Sequence, residues 1–378
     1  MMKSARLTVT AAFLGFFLSL SPSLFAADVV VPSMELITHG LYQSGGFDLQ
    51  TFGNITLQVQ GGYKFGGNLS FQILNPDLED ITGAALSRDF FSASIDIRNL
   101  FSAPLSLSYF VGKNDTFGSG DGFAQFGAAP IMTSYRGFLY FPNYPVGPLY
   151  DGIYQVHGTG AHLQYVPKVE TLSMDLYVYE DTHAAFTMLG NYSGDFRFLL
   201  NFPSIKLEGF VGSTYLLTTN SFAFRGGLLF YASNRNVEFL SQIGIPVWNP
   251  LLDATPNINL FYLLVEPRLH LGLLSIVPTF FWHPGYYEQQ AYPDELGSFD
   301  VNLNLTLGDL ARNTFEGGLE GNLRYTSANP SQAIVFKASP WVAFSTPGVF
   351  WTVKLDARLW PWNITQLFDA FVGVRAEF

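Results

Sequence analysis

The chain has 378 residues, 48% of them hydrophobic, with 37 Phe, only 13% charged residues and no Cys. A formal net charge of −11 speaks against a nucleic-acid partner, and without cysteine there is neither a disulfide framework nor a thiolate metal site. So much apolar and aromatic surface against so little charge does not suit an ordinary soluble exterior.

Residues 1–27 read as a secretory signal. Lys3 and Arg6 precede an apolar run over 7–20, followed by Ser21-Pro22-Ser23-Leu24-Phe25-Ala26-Ala27, with cleavage expected after Ala27 or Ala26. The run is shorter than the ~20 residues of a spanning helix, so export is expected, leaving 28–378 as one domain. Loss of Lys3 and Arg6 takes the formal charge from −11 to −13. No later uninterrupted apolar stretch reaches ~18 residues, which excludes an inner-membrane helical bundle.

Downstream of residue 27 the dominant pattern is period-two alternation. The first plausible strand is 34–43. Over 55–65, Ile55, Leu57, Val59, Tyr63 and Phe65 alternate with Thr56, Gln58 and Gln60; Gly66-Gly67-Asn68 reads as a hairpin turn, after which Leu69, Phe71 and Ile73 continue the apolar face. Strands near 90–98 and 104–112 come next, joined by a short link over 99–103. From residue 150 hairpins recur: 153–166 with 171–180, 195–202 with 205–215, 222–232 with 236–246, 259–270 with 275–283, 298–307 with 314–325, and 333–345 with 349–360. Longer segments rich in Pro, Gly, Asn and Tyr, such as 246–258 and 284–297, separate the pairs. The last ten residues, Asp369 to Phe378, alternate again.

Exported, apolar, aromatic and β-patterned together predict an all-β transmembrane antiparallel barrel with short turns on one side and long loops on the other. The closing segment, with Val372 and Val374 on its apolar face and Phe378 at its end, resembles the terminal strand of Gram-negative outer-membrane β-barrels, and the whole pattern resembles the porin type. The resemblance implies location in the bacterial outer membrane, contact with its lipid, recognition of Phe378, Val374 and Val372 by the barrel assembly machinery, and a homotrimer. Single-chain barrels have an even strand number. Five strands precede 113–151 and thirteen come after it, so the total is even when 113–151, with its strand-like piece 137–141, adds no net crossing. Eighteen strands result, or sixteen if marginal segments such as 34–43 are not strands.

In porins the loop after the fifth strand folds into the lumen and sets the constriction, and here that slot holds the Gly- and Phe-rich segment 113–151. Asp115 and Asp121 are its candidate pore carboxylates. Opposing basic candidates are Arg324, Lys354, Arg358 and Arg375 on C-terminal strands, with Arg98 taken to lie close to the barrel seam. Asp300, Asn302, Asn304 and Thr306 share one face, as do Glu316, Gly318, Glu320, Asn322 and Arg324; so polar a face requires water or a compensated network inside. Outward faces carry Phe196, Phe198, Phe222, Phe224, Trp351 and Leu355, and Trp341, Trp351, Trp360 and Trp362 are expected in the interface belts.

Catalytic readings find little footing. Gly118-Ser119-Gly120 lacks the G-x-S-x-G frame, with Phe117 where that frame needs glycine, and the six histidines (His39, His157, His162, His183, His270, His283) are scattered. No cofactor and no metal are expected, and the protein is read as non-enzymatic. The function expected is passive diffusion of small hydrophilic solutes through a water-filled lumen constricted by 113–151. Two alternatives remain: a hydrophobic-substrate channel resembling fatty-acid transporters, kept open by Phe123 and Phe126, and a surface adhesin on a barrel scaffold.

Overall fold

In the computed structural model the described residues are 27–43, 46–61, 64–74, 87–128, 131, 133, 152–167, 171–182, 191–283, 297–310, 314–326, 334–362 and 367–377. They form eighteen strands: β1 (Ala27–Gln43), β2 (Gly46–Gly61), β3 (Phe65–Leu74), β4 (Ser87–Ile97), β5 (Leu105–Phe117), β6 (Tyr154–Tyr165), β7 (Leu172–Asp181), β8 (Asn191–Asn201), β9 (Ile205–Leu216), β10 (Ser221–Ser233), β11 (Val237–Trp248), β12 (Tyr262–Leu271), β13 (Leu274–His283), β14 (Ser298–Gly308), β15 (Phe315–Thr326), β16 (Ile334–Thr346), β17 (Val349–Trp360) and β18 (Phe368–Glu377). Each pairs antiparallel with its neighbour in sequence, and β1 pairs with both β2 and β18, which closes the ring. Closure leaves no sheet edge, the condition for backbone to cross hydrocarbon.

Alternation assigns the two surfaces. Along β8, Tyr192 and Phe196 are exposed on the outer face while Ser193, Asp195, Arg197 and Leu199 are buried inside. Along β10, Phe222, Phe224 and Leu228 face out, and Ala223, Arg225 and Leu229 face in. A strand with one apolar face must put that face toward lipid, and a one-residue slip would invert it, so the pattern fixes the register as well as the fold.

Several expectations are corrected. β1 begins at Ala27, so the residues expected to precede the first strand, 28–33, are part of the wall. Gly66, Gly67 and Asn68 lie inside β3, where Gly67 and Asn68 pair with Val59 and Gln58 of β2 and all three pair with Asp96, Ile95 and Ser94 of β4, so they are strand and not the expected turn. β5 runs five residues past the expected 112, to Phe117. Trp341 is no belt residue: it alternates with exposed Val342 and Phe344, so its ring faces the lumen, 5% exposed, beside Gly318 and Lys354 of the neighbouring strands. Trp360 and Trp362, at the end of β17, are exposed. The strand-like piece 137–141 and Phe378 lie outside the described residues.

The interior is lopsided. Inward faces of β5 to β13 build a core that includes Phe117, Tyr177, Phe210, Leu240 and Phe281, with Phe123 and Ile131 from the segment after β5 packed among them. At roughly 1.5–3 kcal/mol for each large apolar side chain fully buried, this half of the barrel has a packing contribution that an empty cylinder lacks. Along β14 to β17 most inward residues are polar, Trp341 and Ala343 of β16 being apolar exceptions, and several are part-exposed, Arg324 by 28% at its side chain.

Candidate functional site

The site begins where β5 leaves the wall. Lys113 pairs with His157 and Asp115 with Val156, so Asn114 is the extra residue of a bulge. Counted straight from Gly112, Asp115 and Phe117 would face lipid; the bulge turns both inward. Gly118 (φ 69°) and Gly120 (φ 84°) then swing the chain off the wall in a left-handed conformation that suits glycine, and a β-carbon on Gly120 would run into the Ile131 carbonyl. A 3-10 turn over Asp121–Phe126 buries Phe123.

From there the described residues of the segment are bonded to one side of the inner wall. Gly118 donates its N–H to Glu208 Oε1 on β9 (2.9 Å), and Gln242 Nε2 on β11 donates to the Gly118 carbonyl (2.6 Å). Gln125 accepts from Gln164 on β6 (2.9 Å) and Ser173 on β7 (3.2 Å), and Thr133 Oγ1 donates to Glu266 on β12 (2.6 Å). Polar backbone carried into a barrel needs such partners, because burying it unmet is costly.

Two buried guanidinium groups organise this side. Arg197 on β8 reaches Asp115 (2.7 Å) and Asp175 (3.1 Å), lies 3.9 Å from Glu208, and rests over the Phe117 ring. Tyr177 donates to the same Asp115 (2.8 Å), and His162, stacked on Tyr177, contacts Asp175 at 2.9 Å. Arg225 on β10 forks onto both oxygens of Asp195 at 2.6 Å each, donates to Thr214 (2.6 Å), and lies 4.1 Å above the Tyr154 ring. Bidentate, charge-assisted pairs of this kind are the strong ones, and each compensates a charge that could not otherwise be buried.

On the opposite side the charges are also paired: Asp300 and His283 are fully buried, while Arg324, Lys354 and Asp356 are part-exposed. Arg324 binds Asp300 (2.9 Å), which contacts His283 (3.0 Å), and Lys354 binds Glu320 (2.9 Å) and lies 3.4 Å from Asp356. Arg358 stands opposite Lys337 of β16, and Arg375 opposite Glu35 of β1. Arg98 is not near the seam: it sits just past the end of β4, three strands away, half-exposed and 3.9 Å from Asp96. Asp121 is half-buried at the first position of the 3-10 turn. The structure therefore does not bring the candidates into one ring. Asp115, expected to oppose the C-terminal basic residues, is bound instead to Arg197, Tyr177 and the Thr116 amide.

The residues that hold the segment, Arg197, Glu208, Gln242 and Glu266, are not among those the sequence singles out by motif. A signal is nonetheless present: each is a polar or charged residue on the inward parity of a strand whose outward parity is mostly apolar. Among the described residues no group of three or more His, Cys, Asp or Glu is placed to hold a metal ion.

No family model matches this chain, and no curated protein sequence matches it significantly. Solved structures do. OccAB3 of Acinetobacter baumannii aligns over 94% of this chain and 99% of its own, with a TM-score of 0.52 at 9% identity. OpdK of Pseudomonas aeruginosa, solved with vanillate, aligns over 93% and 98% (TM-score 0.52, 8% identity). A BenF-like porin from Pseudomonas fluorescens aligns over 94% and 98% (TM-score 0.53, 6% identity). At such identities the likeness is one of fold: this chain has the architecture of a porin-type transmembrane β-barrel.

Proposed function

We propose that the protein is an outer-membrane channel through which small hydrophilic solutes diffuse, narrowed by the segment after β5. The observation that carries this reading is the division of the inner wall. The segment covers the inward faces of β6 to β12, while the inward faces of β14 to β17 keep paired but part-exposed charges such as Arg324, Lys354 and Asp356. A passage bounded by that wall would be aqueous, and its charges are largely compensated in pairs, which favours weak ion selectivity over the cation preference that the net charge alone suggests. Porins with this fold were solved with vanillate and, in the case of OccK2, glucuronate, which supports small organic solutes as cargo.

The hydrophobic-channel reading loses support, because Phe123 is fully buried in the one-sided core and Phe126 is partly buried against it. A signal over 1–27, insertion through the Val372 and Val374 face and Phe378, and a homotrimer belong to the same proposal; chemical cross-linking in detergent tests the last, and a purely monomeric pattern would remove it.

The test of the function is single-channel conductance in a planar lipid bilayer, with and without residues 118–133. The expected result is a stable open conductance that increases by at least about twofold when the segment is removed. A folded barrel that conducts in neither form would sink the proposal.

A further inference from the structure

β12 and β13 pair at both ends of their contact and not between. Leu263, Leu264 and Val265 pair with Trp282, Phe281 and Phe280, and Leu269, His270 and Leu271 with Ile276, Ser275 and Leu274, all in one unshifted register. In that register Glu266 stands opposite Thr279, Pro267 opposite Pro278, and Arg268 opposite Val277. Proline has no N–H, so neither member of the central pair can donate across the junction. Hydrocarbon on the outer side supplies no water to replace those bonds.

On the lumen side, side chains span the interval. Thr279 Oγ1 donates to Glu266 Oε2 directly across it at 2.6 Å, and Thr133 Oγ1 of the infolded segment donates to the same oxygen at 2.6 Å. The other oxygen, Oε1, takes the Arg268 guanidinium at 2.8 Å, and Arg268 reaches on to Glu238 of β11 at 3.1 Å. Glu266 and Thr279 are fully buried and Thr133 nearly so. One carboxylate thus touches β12, β13 and the infolded segment, and through Arg268 it is tied to β11.

We propose that Glu266 is the positioning residue of the channel: it closes the interval left by Pro267 and Pro278 and, with the same oxygen, fixes Thr133 and hence the width of the passage. The second half of this statement rests on the channel reading above; the first does not. A carboxylate is suited to the place because one oxygen accepts two hydroxyls while the other accepts a guanidinium. Glutamine can do the first but presents an N–H₂ to Arg268, so Glu266→Gln falls between the native chain and Glu266→Ala.

The experiment uses Glu266→Ala, Thr133→Val, Thr279→Val and the Glu266→Ala/Thr133→Val double variant in the full-length chain, with two readouts. Conductance is expected to increase in Glu266→Ala and Thr133→Val, the double variant showing no further increase over Glu266→Ala, and to stay native in Thr279→Val. Amide hydrogen exchange along β12 and β13 is expected to accelerate by about tenfold in Glu266→Ala and Thr279→Val relative to β7 and β8, and to stay native in Thr133→Val. Additive conductance effects, or unchanged exchange in Thr279→Val, overturn the proposal. Should Glu266→Ala fail to fold, the two Thr→Val variants decide it alone. A native chain that conducts nothing overturns the channel reading and the width clause together, while the exchange readout still decides how the β12–β13 interval is closed.

Discussion

Replacement of Arg197 by methionine is expected to destabilise the barrel by about 3–5 kcal/mol, the range for removing one partner of a buried ion pair. Its guanidinium is 2% exposed and the Asp175 and Glu208 side chains are 0% exposed, so the variant takes the guanidinium away from two carboxylates that water does not reach, leaving Asp175 with His162 and Gln164 and Glu208 with the Gly118 amide. Asp115, less deeply buried, loses its ion pair with the wall, so the exit of β5 loosens as well. Urea-dependent unfolding in detergent micelles, followed by tryptophan fluorescence and the heat-dependent gel shift, measures the loss. Arg197→Lys keeps the charge but cannot span Asp115 and Asp175 with a planar fork, and is expected to fall between. A loss below about 1 kcal/mol for the methionine variant would mean that this cluster is hydrated and not the buried node described.

Phe117→Ala is expected to cost about 3–5 kcal/mol, the range for truncating a fully buried aromatic ring. Phe117 is 0% exposed, its centroid 5.0 Å from Phe210 and 5.3 Å from Tyr177, and it supports Arg197 from below. The same unfolding assay applies, and channel noise should rise because the segment after Gly118 loses its footing. Deleting Asn114 provides the contrast. Removal of the bulge residue leaves Asp115 and Phe117 on their inward faces, so its cost should be under about 2 kcal/mol, smaller than that of Phe117→Ala. A deletion more damaging than the truncation would contradict the assigned bulge.

Much of the architecture is legible in the sequence because a transmembrane barrel writes its fold in period two. From Tyr154 onward the strands lie within a few residues of their expected bounds, since each carries Phe, Leu, Val or Ile on alternate positions and short turns between. Legibility fails where that code is interrupted. Val29, Val30 and Val31 do not alternate, so the start of β1 escapes the pattern. Gly66-Gly67-Asn68 has the chemistry of a tight turn, yet tertiary pairing on both sides makes it strand. The bulge at Asn114 leaves no mark in composition, because one extra residue is invisible until the partner strand is in place. Asp115 stands out as a carboxylate of interest; its partner Arg197 does not, since a pairing across 82 positions depends on the register of four strands. Residue type alone sends Trp341 to the interface belt, whereas parity with Val342 and Phe344 points it inward.

The one-sided core has a consequence for how such a barrel is assembled. Strands β5 to β13, with Phe123 and Ile131 tucked against them, have a lipid-facing surface and an inner core of their own, so this portion can accumulate stability as an open curved sheet. The last contact to form is of another kind. Leu36 meets Val374 across the β1–β18 junction from ~340 residues away in sequence, and loop-closure entropy makes so remote a meeting late and slow. Insertion would then proceed from a preformed half-cylinder whose two free margins zip together at the end, and a time course of amide protection should show β7 to β11 shielded before β1 and β18.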